Sequence, residues 1–240
     1  VTKTGFRDFT FDPNNGFALN GKGMKMKGVC LHHDNGALGA VENIYAVRRK
    51  LTLMKEMGAN AIRMSHNPHS LEMMQLCDEM GFIVQDEAFD VWKKKKVTND
   101  YHKDWDAWHK QDLEDFIKRD RNHPSVMMWS IGNEEGWIHT TSHGKRIAET
   151  FISKLKQLDP TRTSTYAADL ANVYKGVNEV IPVRSFNYRQ FAVADYHKDH
   201  PAQPILGTEM GSTVTTRGAL EKDSIRAYVP DQDITAPWWA

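Results

Sequence analysis

The sequence predicts an α/β fold, a (β/α)8 TIM barrel that is truncated before the eighth strand and preceded by a short β segment. From residue 24 onward, short β-rich stretches alternate with amphipathic helical stretches, which is typical of βαβ units in a parallel sheet. No glycine-rich dinucleotide fingerprint follows the first strand, and seven units in succession favour a barrel over a doubly wound sheet.

The alternating elements have recognisable boundaries. In 46–57, Val47, Leu51 and Met54 recur at helical spacing, and Gly58 ends that helix as Gly81 ends the next one. Strands are predicted over 24–31, 60–64, 82–85, 125–131, 162–166, 183–186 and 204–207. Helices are predicted over 46–57, 71–80, 105–121, 144–158, 191–200 and, as a short helix, 173–180.

The first 23 residues break this pattern. Residues 6–11 alternate like an exposed-edge strand, and 12–16 read as a turn. We interpret 1–23 as the tail of a preceding β-sandwich domain with its linker, and 24–240 as the barrel, incomplete at its C-terminus. The chain begins without Met, and we expect the last residues, 236–240, to be a linker towards an eighth strand beyond Ala240.

Composition narrows the possible partners. Lys plus Arg equals Asp plus Glu at 31 each, so a balanced surface offers no electrostatic reason to expect nucleic acid or an anionic membrane. No apolar run reaches the roughly 18 residues that a membrane helix needs. Cys30 and Cys77 lie in an apolar strand and a helix, so we expect buried thiols, not a disulfide or a metal site, and they do not fix the compartment.

Polar residues follow each predicted strand. Active sites of parallel barrels lie at the carboxyl ends of their strands, so this distribution predicts a functional site on that face. The seven groups are His32-His33-Asp34, Ser65-His66-Asn67, Asp86-Glu87, Asn133-Glu134, Asp169, Asn187-Tyr188 and Glu209.

Two of these groups carry carboxylates suited to one reaction. Hydrolysis of a glycosidic bond needs two carboxyl groups across the reacting carbon, about 5–5.5 Å apart when one of them attacks. Glu134 and Glu209, at the ends of the fourth and seventh strands, can converge above the barrel axis. Asn133, beside Glu134, is placed to hydrogen-bond the sugar at its 2-hydroxyl, where contacts tighten in the transition state.

Residues 119–134 read RDRNHPSVMMWSIGNE, which resembles the acid/base signature of glycoside hydrolase family 2. This family includes β-galactosidases, β-glucuronidases and β-mannosidases. Further matches follow in the family's order, and together they cover residues 5 to 240. These matches are 27–32, 60–66, 76–78, 86–88, 187–188 and 207–209.

The resemblance implies catalytic roles residue by residue. Glu134 matches the general acid/base and Glu209 the nucleophile of a retaining exo-β-glycosidase. Tyr188 matches a tyrosine that hydrogen-bonds the nucleophile. Arg63, in the second strand, is expected to orient the nucleophile through an ion pair. No cofactor is implied.

The resemblance also implies a set of sugar contacts. His32 and His66 match histidines that bind sugar hydroxyls and stabilise the transition state, and Asn133 matches the 2-hydroxyl contact. Asp86 and Glu87 are expected either to contact the sugar or to brace Arg63 and the strand ends. The implied partners are a carbohydrate substrate and the flanking β-domains of a longer chain, with a homo-oligomer left open.

Two departures from the family pattern bear on metal and substrate. Well-studied β-galactosidases of the family bind magnesium through a Glu and a His, where this chain has Val91 and Lys93, so no metal is expected there. The family's β-glucuronidases carry an Asn-x-Lys pair for the substrate carboxylate, and the expected loop lacks one. Its absence favours a neutral sugar, and the His-His-Asp at 32–34 favours galactosides.

Two other function classes compete with this prediction. A metal-dependent barrel hydrolase is suggested by His32 and His33, but successive strand residues point to opposite faces, so adjacent histidines chelate poorly. A non-catalytic sugar-binding module would not need both Glu134 and Glu209. The lysine run 93–96 is interpreted as a solvated loop in preference to a binding patch.

Overall fold

The computed structural model describes residues 4–212, 215 and 219–225. Its strands are β1 Phe9–Asp12, β2 Gly16–Leu19, β3 Lys22–Gly23, β4 Gly28–Leu31, β5 Ala61–Met64, β6 Ile83–Glu87, β7 Val126–Asn133, β8 Thr163–Ala167, β9 Val183–Asn187 and β10 Ile205–Glu209. Its α-helices are α1 Ile44–Glu56, α2 Leu71–Met80, α3 Trp105–Asp120, α4 Ser142–Leu158 and α5 Val193–Asp199.

Strands β4 to β10 form one parallel sheet whose spatial order follows the chain. The sheet curls until Sγ of Cys30, in β4, lies 3.2 Å from the carbonyl oxygen of Thr208, in β10. The predicted barrel wall is therefore confirmed. Within the described residues β4 and β10 share no backbone ladder. The linker expected over 236–240 lies outside the described residues.

The helices pack on the outside of this wall, and their caps follow from the sequence. Asn43 and Ser70 accept hydrogen bonds from backbone N–H groups in the first turns of α1 and α2. Gly81 ends α2 in the left-handed conformation at φ 68°. Trp92 and Trp129 are fully buried in the core between helices and wall.

The prediction of a short helix over 173–180 is wrong. The structure has only a 3-10 turn there, Gly176–Glu179, so β8 and β9 are joined without an α-helix. Gly176 has φ 63°, and a Cβ at this position would lie 2.1 Å from the carbonyl oxygen of His139. The close approach of the two chain segments requires glycine.

The amino end of the barrel is closed by a small apolar sheet. β1, β2 and β3 pair antiparallel, and Phe17 packs against buried residues at the start of the barrel strands, including Ile83, Met127 and Val183. Residues 9–23 thus contribute to the barrel's own packing, while their assignment to a preceding domain stays a prediction.

Both cysteines are free thiols, with Cys77 buried and Cys30 partly buried. In the part of the chain that the structure describes, no helix is long and apolar enough to cross a bilayer.

Candidate active site

The predicted site residues gather at the carboxyl ends of the barrel strands. Arg63 lies in β5 and Asn133 ends β7, while Asn187 and Glu209 end β9 and β10. Glu134 follows β7 directly. These side chains meet above the barrel axis because parallel strands bring their carboxyl ends to one face.

One amide joins the two glutamates. Nδ2 of Asn187 lies 2.8 Å from Oε1 of Glu134 and 3.1 Å from Oε1 of Glu209. The two carboxylate oxygens are therefore no more than about 6 Å apart, a separation that a sugar's reacting carbon can bridge. Sequence reasoning placed Asn187 in the motif but gave it no role.

Glu134 is held in an environment that favours its protonated form. Burial raises the pKa of its carboxyl group, the hydrogen bond from Asn187 opposes this, and the nearby Glu209 and Asp169 carboxylates raise it further. The backbone of Glu134 is left-handed, at φ 43°, which turns the chain sharply out of β7. A half-buried carboxyl group with a raised pKa is suited to donating a proton.

Glu209 instead faces a fixed positive charge. Nη1 of Arg63 lies 2.5 Å from Oε1 of Glu209, as the sequence led us to expect. The remaining nitrogens of Arg63 bond both oxygens of Glu87 and, at 2.9 Å, Oδ1 of Asn133. The guanidinium fork is thereby fixed in one orientation, and it holds the Glu209 carboxyl group in place.

The two predicted sugar-binding histidines lie side by side at this face. The rings of His32 and His66 meet edge to face, with centroids 5.0 Å apart. Nδ1 of His66 lies 2.8 Å from Oε1 of Glu87, and its Nε2 lies 3.8 Å from Oε1 of Glu209. Burial lowers the pKa of His32, and His66 lowers it further, so a neutral imidazole faces the pocket.

This fold and this arrangement match a known family. The family model for glycosyl hydrolases family 2, TIM barrel domain, matches residues 13–228. The chain belongs to glycosyl hydrolase family 2.

Individual relatives agree with this assignment. A β-galactosidase of Bacteroides ovatus, BoGH2A, is 40% identical over 95% of this chain and 31% of that protein. A putative β-glucuronidase of Formosa agariphila is 37% identical over 91% of this chain and 20% of that protein. The crystal structure of a β-glycosidase from Bacteroides vulgatus superposes with a TM-score of 0.80 at 41% identity, covering 90% of this chain and 27% of that one. The chain thus spans less than a third of these relatives.

Asp86 and Glu87 have different places in the family 2 barrel. Asp86 points away from the barrel interior: it is fully buried beside Asp120 of α3, and burial raises its pKa well above the usual range. A direct sugar contact for Asp86 is therefore wrong, because alternate strand residues face opposite sides. Glu87 is buried beneath Arg63 and His66 and also accepts a hydrogen bond from Ser130, so it braces them.

Tyr188 lies beside Glu209, because its backbone N–H donates a hydrogen bond to the carbonyl oxygen of Glu209. Its hydroxyl lies 2.7 Å from Oγ of Ser212. Burial raises the pKa of Tyr188, and the Glu209 carboxylate raises it further. The hydrogen bond to Glu209 that the family resemblance implies stays a prediction.

The lysine run contributes a residue that sequence reasoning missed. Nζ of Lys96 lies 2.8 Å from Oδ1 of Asp90 and 2.6 Å from the carbonyl oxygen of Asn133. Oδ1 of Asp90 also accepts from Nδ2 of Asn133 at 3.1 Å. The interpretation of 93–96 as a solvated loop is wrong for Lys96, which fixes the strand end that carries Glu134.

The family's magnesium position does not fit a metal in this chain. Val91 is buried and offers no oxygen ligand. Nζ of Lys93 lies 2.9 Å from Oδ1 of Asp106, and its positive charge opposes a dication. We derive no catalytic step from magnesium at this position.

Proposed function

We propose that this chain supplies the catalytic barrel of a retaining exo-β-glycosidase that hydrolyses terminal β-linked sugars, with β-galactosides as substrates. The observation that carries the proposal is the Asn187 amide, which contacts both Glu134 and Glu209. That contact limits the carboxylate separation to about 6 Å, near the 5–5.5 Å of retaining enzymes and below the roughly 6.5–9.5 Å of inverting ones.

In the first step, an oxygen of Glu209 attacks the anomeric carbon while Glu134 gives its proton to the departing glycosidic oxygen. The bond between sugar and leaving group breaks, and a covalent glycosyl-enzyme forms. Arg63 fixes the Glu209 carboxyl group through an ion pair, and burial raises the pKa of Glu134, which supports attack by Glu209 and proton donation by Glu134.

In the second step, Glu134 is a carboxylate and takes a proton from water. The hydroxide so generated attacks the anomeric carbon, and Glu209 leaves as a carboxylate. We assign Asn133 and His66 to the 2-hydroxyl and neighbouring hydroxyls of the sugar, because Asn133 contacts the same Asn187 amide as the two glutamates and Nε2 of His66 lies 3.8 Å from Oε1 of Glu209. These contacts lower the barrier if they tighten as the oxocarbenium-like transition state forms.

The second candidate substrate is a β-glucuronide, with a β-mannoside as a more distant alternative. The Formosa agariphila relative, a putative β-glucuronidase, favours the glucuronide. Lys96 could contribute a cation near the sugar, but it already pairs with Asp90, and this leaves the neutral sugar better supported.

The test uses the full-length protein that contains this barrel. Purified protein is assayed on aryl β-galactoside, β-glucuronide and β-mannoside, and the anomer first released is followed by NMR. We expect the highest kcat/KM on the galactoside and a β-sugar as the first product. Preference for the glucuronide would overturn the substrate assignment alone, and an initial α-sugar would overturn the retaining mechanism. Binding without hydrolysis of any of the three would support a non-catalytic module.

A further inference from the structure

The adjacent histidines after β4 point to different places. His32 faces His66 in the candidate active site, whereas His33 stacks on His69, with ring centroids 4.0 Å apart. His69 in turn contacts Glu42, which precedes α1. A second cluster of polar side chains thus lies behind the catalytic face and is not used by the glycosidase mechanism.

This cluster has metal-ligand composition and spacing. One ligand atom each from His33, Glu42 and His69 lie within 4.8 Å of one another, and Nδ1 of His69 is 3.1 Å from Oε1 of Glu42. The side chains of His69 and Glu42 are 0% and 5% exposed. Nε2 of His33 is buried and has no hydrogen-bond partner among the described residues. A plain His69–Glu42 ion pair leaves that nitrogen unexplained.

We propose that His33, Glu42 and His69 bind one divalent transition-metal ion, with zinc as the best match, and that water completes its coordination. Two imidazole nitrogens and one carboxylate oxygen form a ligand set that zinc accepts, and three protein ligands leave one tetrahedral position open. The site departs from our expectation of no metal, which rested on the family's magnesium position and on a His32–His33 pair, and not on His33 together with Glu42 and His69.

Outer contacts already orient two of the ligands. The second ring nitrogen of His69 lies 3.4 Å from the carbonyl oxygen of Ser65, and Oε2 of Glu42 accepts from the backbone N–H of Ser70 at 2.8 Å. Hydrogen bonds of this kind fix the tautomer and direction of metal ligands. The two imidazole rings are stacked with their planes inclined by 29°, so binding of a common ion requires at least one ring to rotate out of the stack.

The position of the site suggests what the ion does. It would tie the end of β4 to the segments that begin α1 and α2. His33 is adjacent to His32, and His69 is three residues from His66, so the ion would fix the loops that carry both sugar-binding histidines. We assign it a structural role, since no ligand faces the two catalytic glutamates.

The experiment measures zinc binding directly and does not require glycosidase activity. Full-length protein is stripped with a chelator, and ZnCl2 is added in a calorimetric titration, with metal content determined after desalting. His69→Gln and Glu42→Gln are compared with wild type, and His143→Gln, which changes an exposed histidine of α4, is the matched control. Circular dichroism verifies that each variant is folded.

We expect wild type and His143→Gln to bind one more zinc equivalent than the other two variants, with a Kd on the order of 1 μM or tighter. His69→Gln and Glu42→Gln should weaken that equivalent by at least about 100-fold. Equal zinc content in all four proteins would overturn the site, as would the absence of any tight equivalent in wild type. If His69→Gln fails to fold, Glu42→Gln decides the question.

Discussion

The two ends of the barrel are built from the same strands, but the carboxyl end is polar and the amino end is apolar. At the carboxyl end, Arg63, Glu87, Asn133 and Asn187 form a continuous hydrogen-bonded set around Glu209. At the amino end, the apolar sheet β1–β3 presses Phe17 against the strand starts. We therefore expect the contacts that serve catalysis and those that serve stability to lie at opposite ends of the barrel axis. Substitutions at the carboxyl end should change activity, and substitutions at the amino end should change stability.

The largest effect is expected at Glu209. Glu209→Gln removes the proposed nucleophile while keeping the shape of the side chain and one hydrogen-bond acceptor for Arg63. We expect kcat/KM of the full-length enzyme to fall by roughly 10⁴-fold or more, with the melting temperature nearly unchanged. Glu149→Gln, on the exposed face of α4, is the control and should leave both quantities unaltered. Retention of a tenth of the activity would contradict the assignment.

A substitution at Arg63 should lower both activity and stability. Arg63→Lys keeps one charge but cannot bond Glu87, Asn133 and Glu209 together, because an ammonium lacks the planar fork. We expect kcat/KM to fall about 100-fold and the free energy of unfolding to fall by about 2–3 kcal/mol, since Glu87 is left buried with fewer partners. Enzyme kinetics and urea unfolding measure the two effects.

The matched control for Arg63 is Arg189→Lys, whose exposed partner is Asp169 at 3.2 Å. This change should alter both quantities little, because exposed ion pairs contribute about 0–1 kcal/mol. An Arg63→Lys enzyme with normal activity would show that Arg63 has no part in fixing Glu209.

At the amino end, Phe17→Ala should act on stability alone. Phe17 is 6% exposed, and its removal leaves a cavity under the barrel, at a cost of about 3 kcal/mol. Thermal unfolding should show this loss, while kcat measured well below the melting temperature stays within twofold. Phe6→Ala provides the control because Phe6 is 97% exposed. A large loss of kcat in folded Phe17→Ala would show that the two ends are coupled.

The smallest effect on activity is expected at Glu135, the chain neighbour of the proposed acid/base Glu134. It is 2% exposed, and burial raises its pKa to about 8. In the unfolded chain its pKa is near the ordinary value, so the folded state binds the proton more tightly, and stability falls as the pH rises from about 4.5 towards 8.

Replacing Glu135 with neutral glutamine removes this pH-dependent loss. Glu135→Gln should be more stable than wild type by about 3 kcal/mol at pH 7 and equal to it at pH 4. Urea unfolding at the two pH values checks the difference. A variant that is less stable than wild type at pH 7 would mean that Glu135 is ionised and paired in the native protein.

Much of this architecture could be predicted because two patterns are local in the sequence. The spacing of hydrophobic residues indicates strands and helices, and polar residues at strand ends indicate the site. The alternation located the seven barrel strands of the described residues, and the Asn-Glu ending β7 indicated Glu134. Period-two alternation could also have separated Asp86 from Glu87, had it been applied to that pair. The sequence offered this signal, and the family resemblance obscured it.

Other features depend on the path of the chain in three dimensions. The four consecutive lysines at 93–96 are chemically identical, so the sequence does not distinguish among them. Only the path of the loop brings Lys96 to Asp90 and Asn133. The predicted helix over 173–180 does not form because Gly176 packs against His139, a contact between segments far apart in sequence. The cluster of His33, Glu42 and His69 likewise joins three separate loops.

The assignment of Glu209 as nucleophile and of Glu134 as proton donor is tested by azide rescue on an activated aryl glycoside. Glu209→Gly should regain turnover with azide and give an α-glycosyl azide, because the anion replaces the nucleophile. Glu134→Ala should give a β-glycosyl azide, since the glycosyl-enzyme still forms and azide replaces water. Product anomers exchanged between the two variants would contradict the account.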